Sequence, residues 1–194
     1  MGLMFGKDLI IFLMVSYPIW LVIRSIVLIK KKTAIKLRHE WIVQLFALYL
    51  LIVIFLTLRP FSFQIPFIGP RSFYFDYQLF YQLSHMADGY LHLQLLYSVG
   101  NILMFIPYGM LGPFIFNKLC RFYWMMLTSF LFSLSIELIQ GLFTLTRRAT
   151  MDDLVFNTAG AIIGYCFYLF IKRMVNKEKQ VTFLTNDLTS FTNL

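Results

Sequence analysis

The chain has 194 residues, 59% of them hydrophobic and 13% charged, with 17 Lys and Arg against 9 Asp and Glu, a formal net charge of +8 and a mean hydropathy of +0.73. Water-soluble chains carry roughly 45–50% apolar residues, and here the excess is gathered into long runs, which excludes an ordinary soluble domain. The basic residues fall between those runs and form no patch with interleaved aromatics, so the charge reads as membrane topology and not as a nucleic-acid surface.

A run of about 20 apolar residues crosses about 30 Å of hydrocarbon at 1.5 Å per residue. Five such runs occur: Leu9 to Ile29, Trp41 to Leu58, Leu93 to Phe116, Phe122 to Leu145 and Leu154 to Ile171. The expected fold is an all-α bundle of about five transmembrane helices. The first run is too long for a signal-peptide core and lacks a small-residue cleavage pattern before Lys30-Lys31-Lys32, so it is expected to stay as an anchor. Arg24 lies close enough to that end to snorkel to the interface. Residues 1–40 are thus expected to be an anchor with a basic connection, 41–171 the main membrane domain, and 172–194 a polar, mobile cytoplasmic tail.

Eleven basic residues (Lys30, Lys31, Lys32, Lys36, Arg38, Lys118, Arg121, Lys172, Arg173, Lys177 and Lys179) fall at one end of the bundle. Only five (Lys7, Arg59, Arg71, Arg147 and Arg148) fall at the other. The excess places the amino terminus outside and the carboxyl terminus in the cytoplasm. Residues 59–92 then form one long outer connection rich in Phe, Tyr and Pro (Pro60, Pro66, Pro70). That is long for a structureless loop, and its aromatics suit the membrane interface, so a partial lid is expected there. His85 and His92 have no companion at metal spacing and read as interface residues. Cys120 and Cys166 lie in or beside spans and read as packing residues, neither a disulfide nor a soft-metal site. No internal repeat argues for an inverted-repeat transporter.

The intramembrane polar residues follow helical spacing. Ser129, Ser133, Glu137, Gln140 and Thr144 form one stripe on the fourth span, with Glu137 about 12 Å and Gln140 about 7 Å below its outer end. A carboxylate at that depth costs roughly 3 kcal/mol on insertion scales unless protonated, paired or wetted. On the fifth span Asp153, Asn157, Gly160 and Gly164 share a face, thinned by the glycines so that another helix can approach closely. The third span supplies Asn101 about 12 Å below the same surface, then Pro107, Gly109, Gly112 and Pro113, which should bend the helix or free backbone groups. Arg59, Arg147 and Arg148 lie at the outer ends of the spans, so acids, amides and arginines are expected at one level.

These residues resemble the VanZ family of bacterial membrane proteins, named for teicoplanin resistance. The match lies in Gly100-Asn-Ile-Leu-Met-Phe-Ile-Pro-Tyr-Gly109, Ser133-Leu-Ser-Ile-Glu-Leu-Ile-Gln140 and Asp152-Asp-Leu-Val-Phe-Asn-Thr-Ala-Gly160, over about residues 98–170. It carries over Asn101, Pro107, Gly109, Glu137, Gln140, Asp153, Asn157, Gly160 and Gly164, with Ile65-Pro66-Phe67 as a weaker echo. Members often have an Arg ahead of the acidic pair, where Arg147 fits the spacing better than Arg148. They also often have an acid where this chain has Thr150. The resemblance implies a bacterial cytoplasmic-membrane protein and, in some members, low-level resistance to teicoplanin-type glycopeptides.

Each feature also has a plainer reading. Glu137 and Gln140 can hydrogen-bond Asn101 or Asn157 only to hold the bundle together, although such contacts average only about 0.6 kcal/mol. Asp152 and Asp153 can cap the fifth helix, the arginines can be interfacial anchors, and Gly160 and Gly164 can be packing residues. Three functional expectations remain beside these. The leading one is a pocket open to the outer leaflet that binds an envelope lipid or lipid-linked precursor, with Arg59, Arg147 and Arg148 on phosphate and Asn101, Gln140 and Asn157 on hydroxyls or amides. The second is a membrane enzyme on such a lipid, with Glu137 or Asp153 as general acid or base; no cofactor is required, but Asp152, Asp153 and Asn157 are weak candidates to hold Mg²⁺. The third is a non-catalytic partner of envelope synthesis, whose protein partners the sequence does not identify.

Overall fold

A computed structural model describes residues 2–31, 36–66, 68, 75–80 and 91–191. Five helices occur in it: α1 (Gly2–Lys31), α2 (Leu37–Leu58), α3 (Leu91–Ile115), α4 (Phe122–Phe143) and α5 (Met151–Phe191). Each contains a stretch long and apolar enough to cross a membrane. A 3₁₀ turn, Asn117–Cys120, joins α3 to α4. Two short strands, β1 (Phe75–Asp76) and β2 (Ala149–Thr150), pair in parallel.

Packing is centred on α5. Its seam with α3 is the most extensive in the bundle, followed by its seam with α4. Three glycines explain how close α3 and α5 come. A Cβ on Gly160 would stand 2.1 Å from the carbonyl oxygen of Ile102, one on Gly164 2.0 Å from that of Ile106, and one on Gly109 1.9 Å from that of Ala161. Each obstacle is backbone, so no side chain can swing aside, and the helices meet main chain to main chain. Val53, Phe105, Ile136 and Ala161 form the core between α2, α3, α4 and α5. A second core of Leu119, Met125, Tyr165 and Tyr168 closes the other end.

α1 differs from the rest, because none of its described side chains is buried. Polar groups, with one ring contact between Phe12 and Phe55 at 5.5 Å, attach it to α2. Arg24 does not simply snorkel: its guanidinium grips the Glu40 carboxylate through two bonds of 2.9 and 2.6 Å. Gln44 donates to the same carboxylate at 2.8 Å, and the Trp20 indole donates to Gln44 at 2.9 Å. At the far end Arg59 pairs with Asp8 at 3.0 Å.

α3 runs on through Pro107 and Pro113, which strip the carbonyls of Leu103 and Gly109 of their helical donors. α5 continues past its apolar stretch to Phe191, where the sequence suggested a mobile tail; Lys177, Glu178, Lys179 and Gln180 are all favourable helix formers. Cys120 and Cys166 are free thiols. The expected lid lies partly outside the described residues, Pro70, Arg71 and His85 included. Its described parts are tied down: Phe63 bridges to Thr144 in antiparallel fashion, and β1 lies on β2.

Candidate functional site

The polar residues gather where α2 and α4 end and α3 and α5 begin. α4 is closed by Thr144, whose hydroxyl donates to the Gln140 carbonyl at 2.6 Å and accepts the Arg147 amide at 3.2 Å. The chain then turns through β2 into α5. Thr150 is the N-cap of that helix: its hydroxyl accepts the Asp153 amide at 3.2 Å, satisfying one of the free donors of the first turn.

In a full capping box the residue at Asp153 would return its carboxylate to the Thr150 amide. Here that amide donates instead to Glu137 Oε2 at 2.9 Å. The exchange has two consequences. Glu137, 1% exposed, is anchored from α4 to the start of α5. Asp153 is released towards α3, where its Oδ1 accepts from both the Tyr97 hydroxyl and the Asn101 side-chain amide. Positions 97 and 101 share a helix face by their spacing of four. Glu137 and Asp153 thus tie α4 and α3, respectively, to the start of α5.

The neighbouring Asp152 points elsewhere. It is 1% exposed, and its Oδ1 accepts the amide of Phe80 at 2.5 Å. Phe80 has a φ of 60°, a region that costs an aromatic residue of order 1–3 kcal/mol, so Asp152 holds the outer segment at Phe80 in a strained turn. Asp152 Oδ2 is buried without a donor among the described residues, and so is Asn157 Oδ1. The Asn157 amide donates to Ser133 Oγ at 2.9 Å.

The other expected site residues lie at the margins. Gln140 reaches α2 and donates to the Thr57 carbonyl at 2.8 Å. Arg147 covers the end of α2 through the carbonyls of Arg59 at 3.2 Å and Leu56 at 3.4 Å, as a cation at a helix carboxyl end should. Arg59 faces Asp8. Arg148 is exposed. Asp152, Asp153 and Asn157 take three separate sets of hydrogen-bond partners, and no group of three or more His, Cys, Asp or Glu residues among the described ones could hold a metal ion.

Tyr97 and the capping role of Thr150 escaped the sequence reading. The signal for Tyr97 was present, since it precedes Asn101 by one helical turn, but a tyrosine near a span end also reads as an interface anchor.

Among known proteins, a family model described as VanZ/LLP1 matches residues 46–172. That stretch takes in α3, α4 and the membrane part of α5, with every residue of the cluster. No curated protein and no solved structure matches the chain.

Proposed function

The chain belongs to the VanZ/LLP1 family, and from that premise we propose that it is a bacterial envelope protein whose carboxyl cluster binds the head group of an envelope lipid or lipid-linked precursor. In this reading the cluster faces the outer leaflet of the cytoplasmic membrane, as the basic residues of the opposite end require. Glycopeptides act at the same surface, so binding or displacing such a lipid there contributes to teicoplanin-type resistance.

The carrying observation is the pair of buried acceptor oxygens, Asp152 Oδ2 and Asn157 Oδ1, that have no donor among the described residues. Buried polar atoms are nearly always paired, and leaving one unpaired costs about 1–3 kcal/mol. Two such acceptors suit a ligand that brings donors, such as sugar hydroxyls or amides. Arg148 at the rim supplies a cation for phosphate. Arg59, Arg147 and Gln140 already serve other chain groups, so their contribution is to shape the site.

The test replaces Glu137, Asp153 and Asn157 singly with Ala at matched membrane abundance, in cells where the parent protein confers resistance. Increased teicoplanin susceptibility in these variants is expected; unchanged susceptibility in all three would overturn the reading.

One observation favours catalysis as the second reading. Tyr97 presents a hydroxyl directly to the Asp153 carboxyl, a donor and an attendant base of the kind general acid–base chemistry needs. Turnover of a polyprenyl-linked substrate that is lost in Tyr97→Phe would favour it, and inertness towards a broad lipid panel would count against it. A non-catalytic partner role would show instead as co-purification with envelope-synthesis proteins that survives loss of Glu137.

A further inference from the structure

At the end of the bundle away from the carboxyl cluster, where α1 and α3 end and α2 and α4 begin, two clefts adjoin. The larger, about 670 Å³, runs between α1, α2 and the end of α3 past Trp20, Val43 and Ile54. The smaller, about 450 Å³, runs between α2, the 3₁₀ turn and α4 past Tyr108, Trp124 and Phe132. Phe46, Leu50 and Phe116 line both. Each volume falls in the roughly 300–1,000 Å³ range of small-molecule sites.

The walls are almost wholly apolar, and charge enters from one side. Arg24, in the larger cleft, is taken up by Glu40. Lys118, in the smaller cleft, stands 6.0 Å over the Trp124 ring and has no carboxylate partner among the described residues. Arg38 and Arg121 add two more exposed cations at that end. Within a bilayer an open apolar cleft is filled by hydrocarbon, since a lining without partner atoms forfeits its dispersion contacts. Cations at the level of the head groups select an anionic one.

We propose that these joined clefts bind an anionic glycerophospholipid, its two acyl chains divided between them and its phosphate beside Lys118. Two clefts meeting at a common wall suit a diacyl chain pair. The site is independent of the carboxyl cluster and stands whether or not that cluster binds a lipid.

Trp20 and Trp124 line the clefts, while the third tryptophan, Trp41, is 70% exposed on α2. A Trp41→Phe variant of the full chain therefore reports the clefts by intrinsic fluorescence. In phosphatidylcholine vesicles, brominated phosphatidylglycerol should reach half-maximal quenching at about a fivefold lower mole fraction than brominated phosphatidylcholine, in keeping with one lysine near the surface. Lys118→Gln should abolish that preference and Lys118→Arg should keep it. Lys172→Gln, at the same end but stacked on Tyr168 at 5.7 Å, should leave it intact. Equal quenching by the two lipids overturns the proposal. So does a preference that survives Lys118→Gln, or one that Lys172→Gln removes as fully, since surface charge alone then accounts for it.

Discussion

The α3–α5 seam and the α1–α2 seam join helices in opposite ways. The first is made by removing side chains: Gly109, Gly160 and Gly164 let two backbones touch, and a single added carbon has nowhere to go. The second is made by long side chains: Arg24, Glu40, Gln44 and Trp20 span the gap, and α1 itself buries none of its described side chains. The rigid seam lies within the family match and carries Asn101, Tyr97 and Asp153 on its upper turns, whereas α1 lies outside that match. The tether lies outside the matched stretch, with Arg24 and Trp20 on α1 and Glu40 and Gln44 on the first turns of α2.

The largest effect should come from breaking the rigid seam. Gly160→Ala puts a carbon 2.1 Å from a backbone oxygen and should cost at least about 3 kcal/mol, the upper part of the overpacking range, or leave no folded protein. Gly100 meets nothing within 4 Å, so Gly100→Ala should be neutral or gain up to about 1 kcal/mol. Unfolding in detergent micelles measures both, and a tolerated Gly160→Ala would contradict the backbone contact.

Next is the anchor between α4 and α5. Glu137→Ala leaves the buried Thr150 amide without its acceptor, a loss of about 1–3 kcal/mol, while Glu137→Gln retains an acceptor oxygen and should cost less than about 1 kcal/mol. The same unfolding measurement separates them, and equal losses would mean that the charge, not the bond, matters.

Breaking the tether should cost less. Glu40→Ala strands Arg24 at a half-buried position, for about 1–2 kcal/mol. Adding Arg24→Leu should recover part of it, because the stranded charge goes too. Failure of the second change to recover stability would show that the ion pair does not hold α1. The smallest contrast is between the adjacent arginines. Arg147→Gln loses the carbonyls of Leu56 and Arg59 and should cost about 1 kcal/mol, whereas Arg148→Gln should change stability by less than about 0.5 kcal/mol. The reverse order would exchange their roles.

Five spans, the thin glycine face of α5 and the gathering of Asn101, Glu137, Asp153 and Asn157 at one end were legible in the sequence, because hydropathy and helical spacing are local properties. Partner choice was not. Nothing local says that Gln140 serves the Thr57 carbonyl, that Arg147 covers the end of α2, or that Asp152 and Asp153, adjacent in the chain, turn to different elements. Those outcomes depend on how helices distant in sequence rotate against one another. Glu40 is a similar case: as a lone acid at the start of a span it carries no signal until α1 brings Arg24 beside it.

The central claim is that the carboxyl cluster binds a lipid and does not merely hold the bundle together. Asp153→Asn changes one oxygen to an amide while keeping size and shape, so the protein should stay folded. Native mass spectrometry of the purified chain, read against unfolding of the same sample, tests the claim most directly. An envelope lipid should be bound to the parent protein and lost in Asp153→Asn at nearly unchanged stability. The same lipid retained at parental occupancy in that variant, or no bound lipid in the parent, would contradict it.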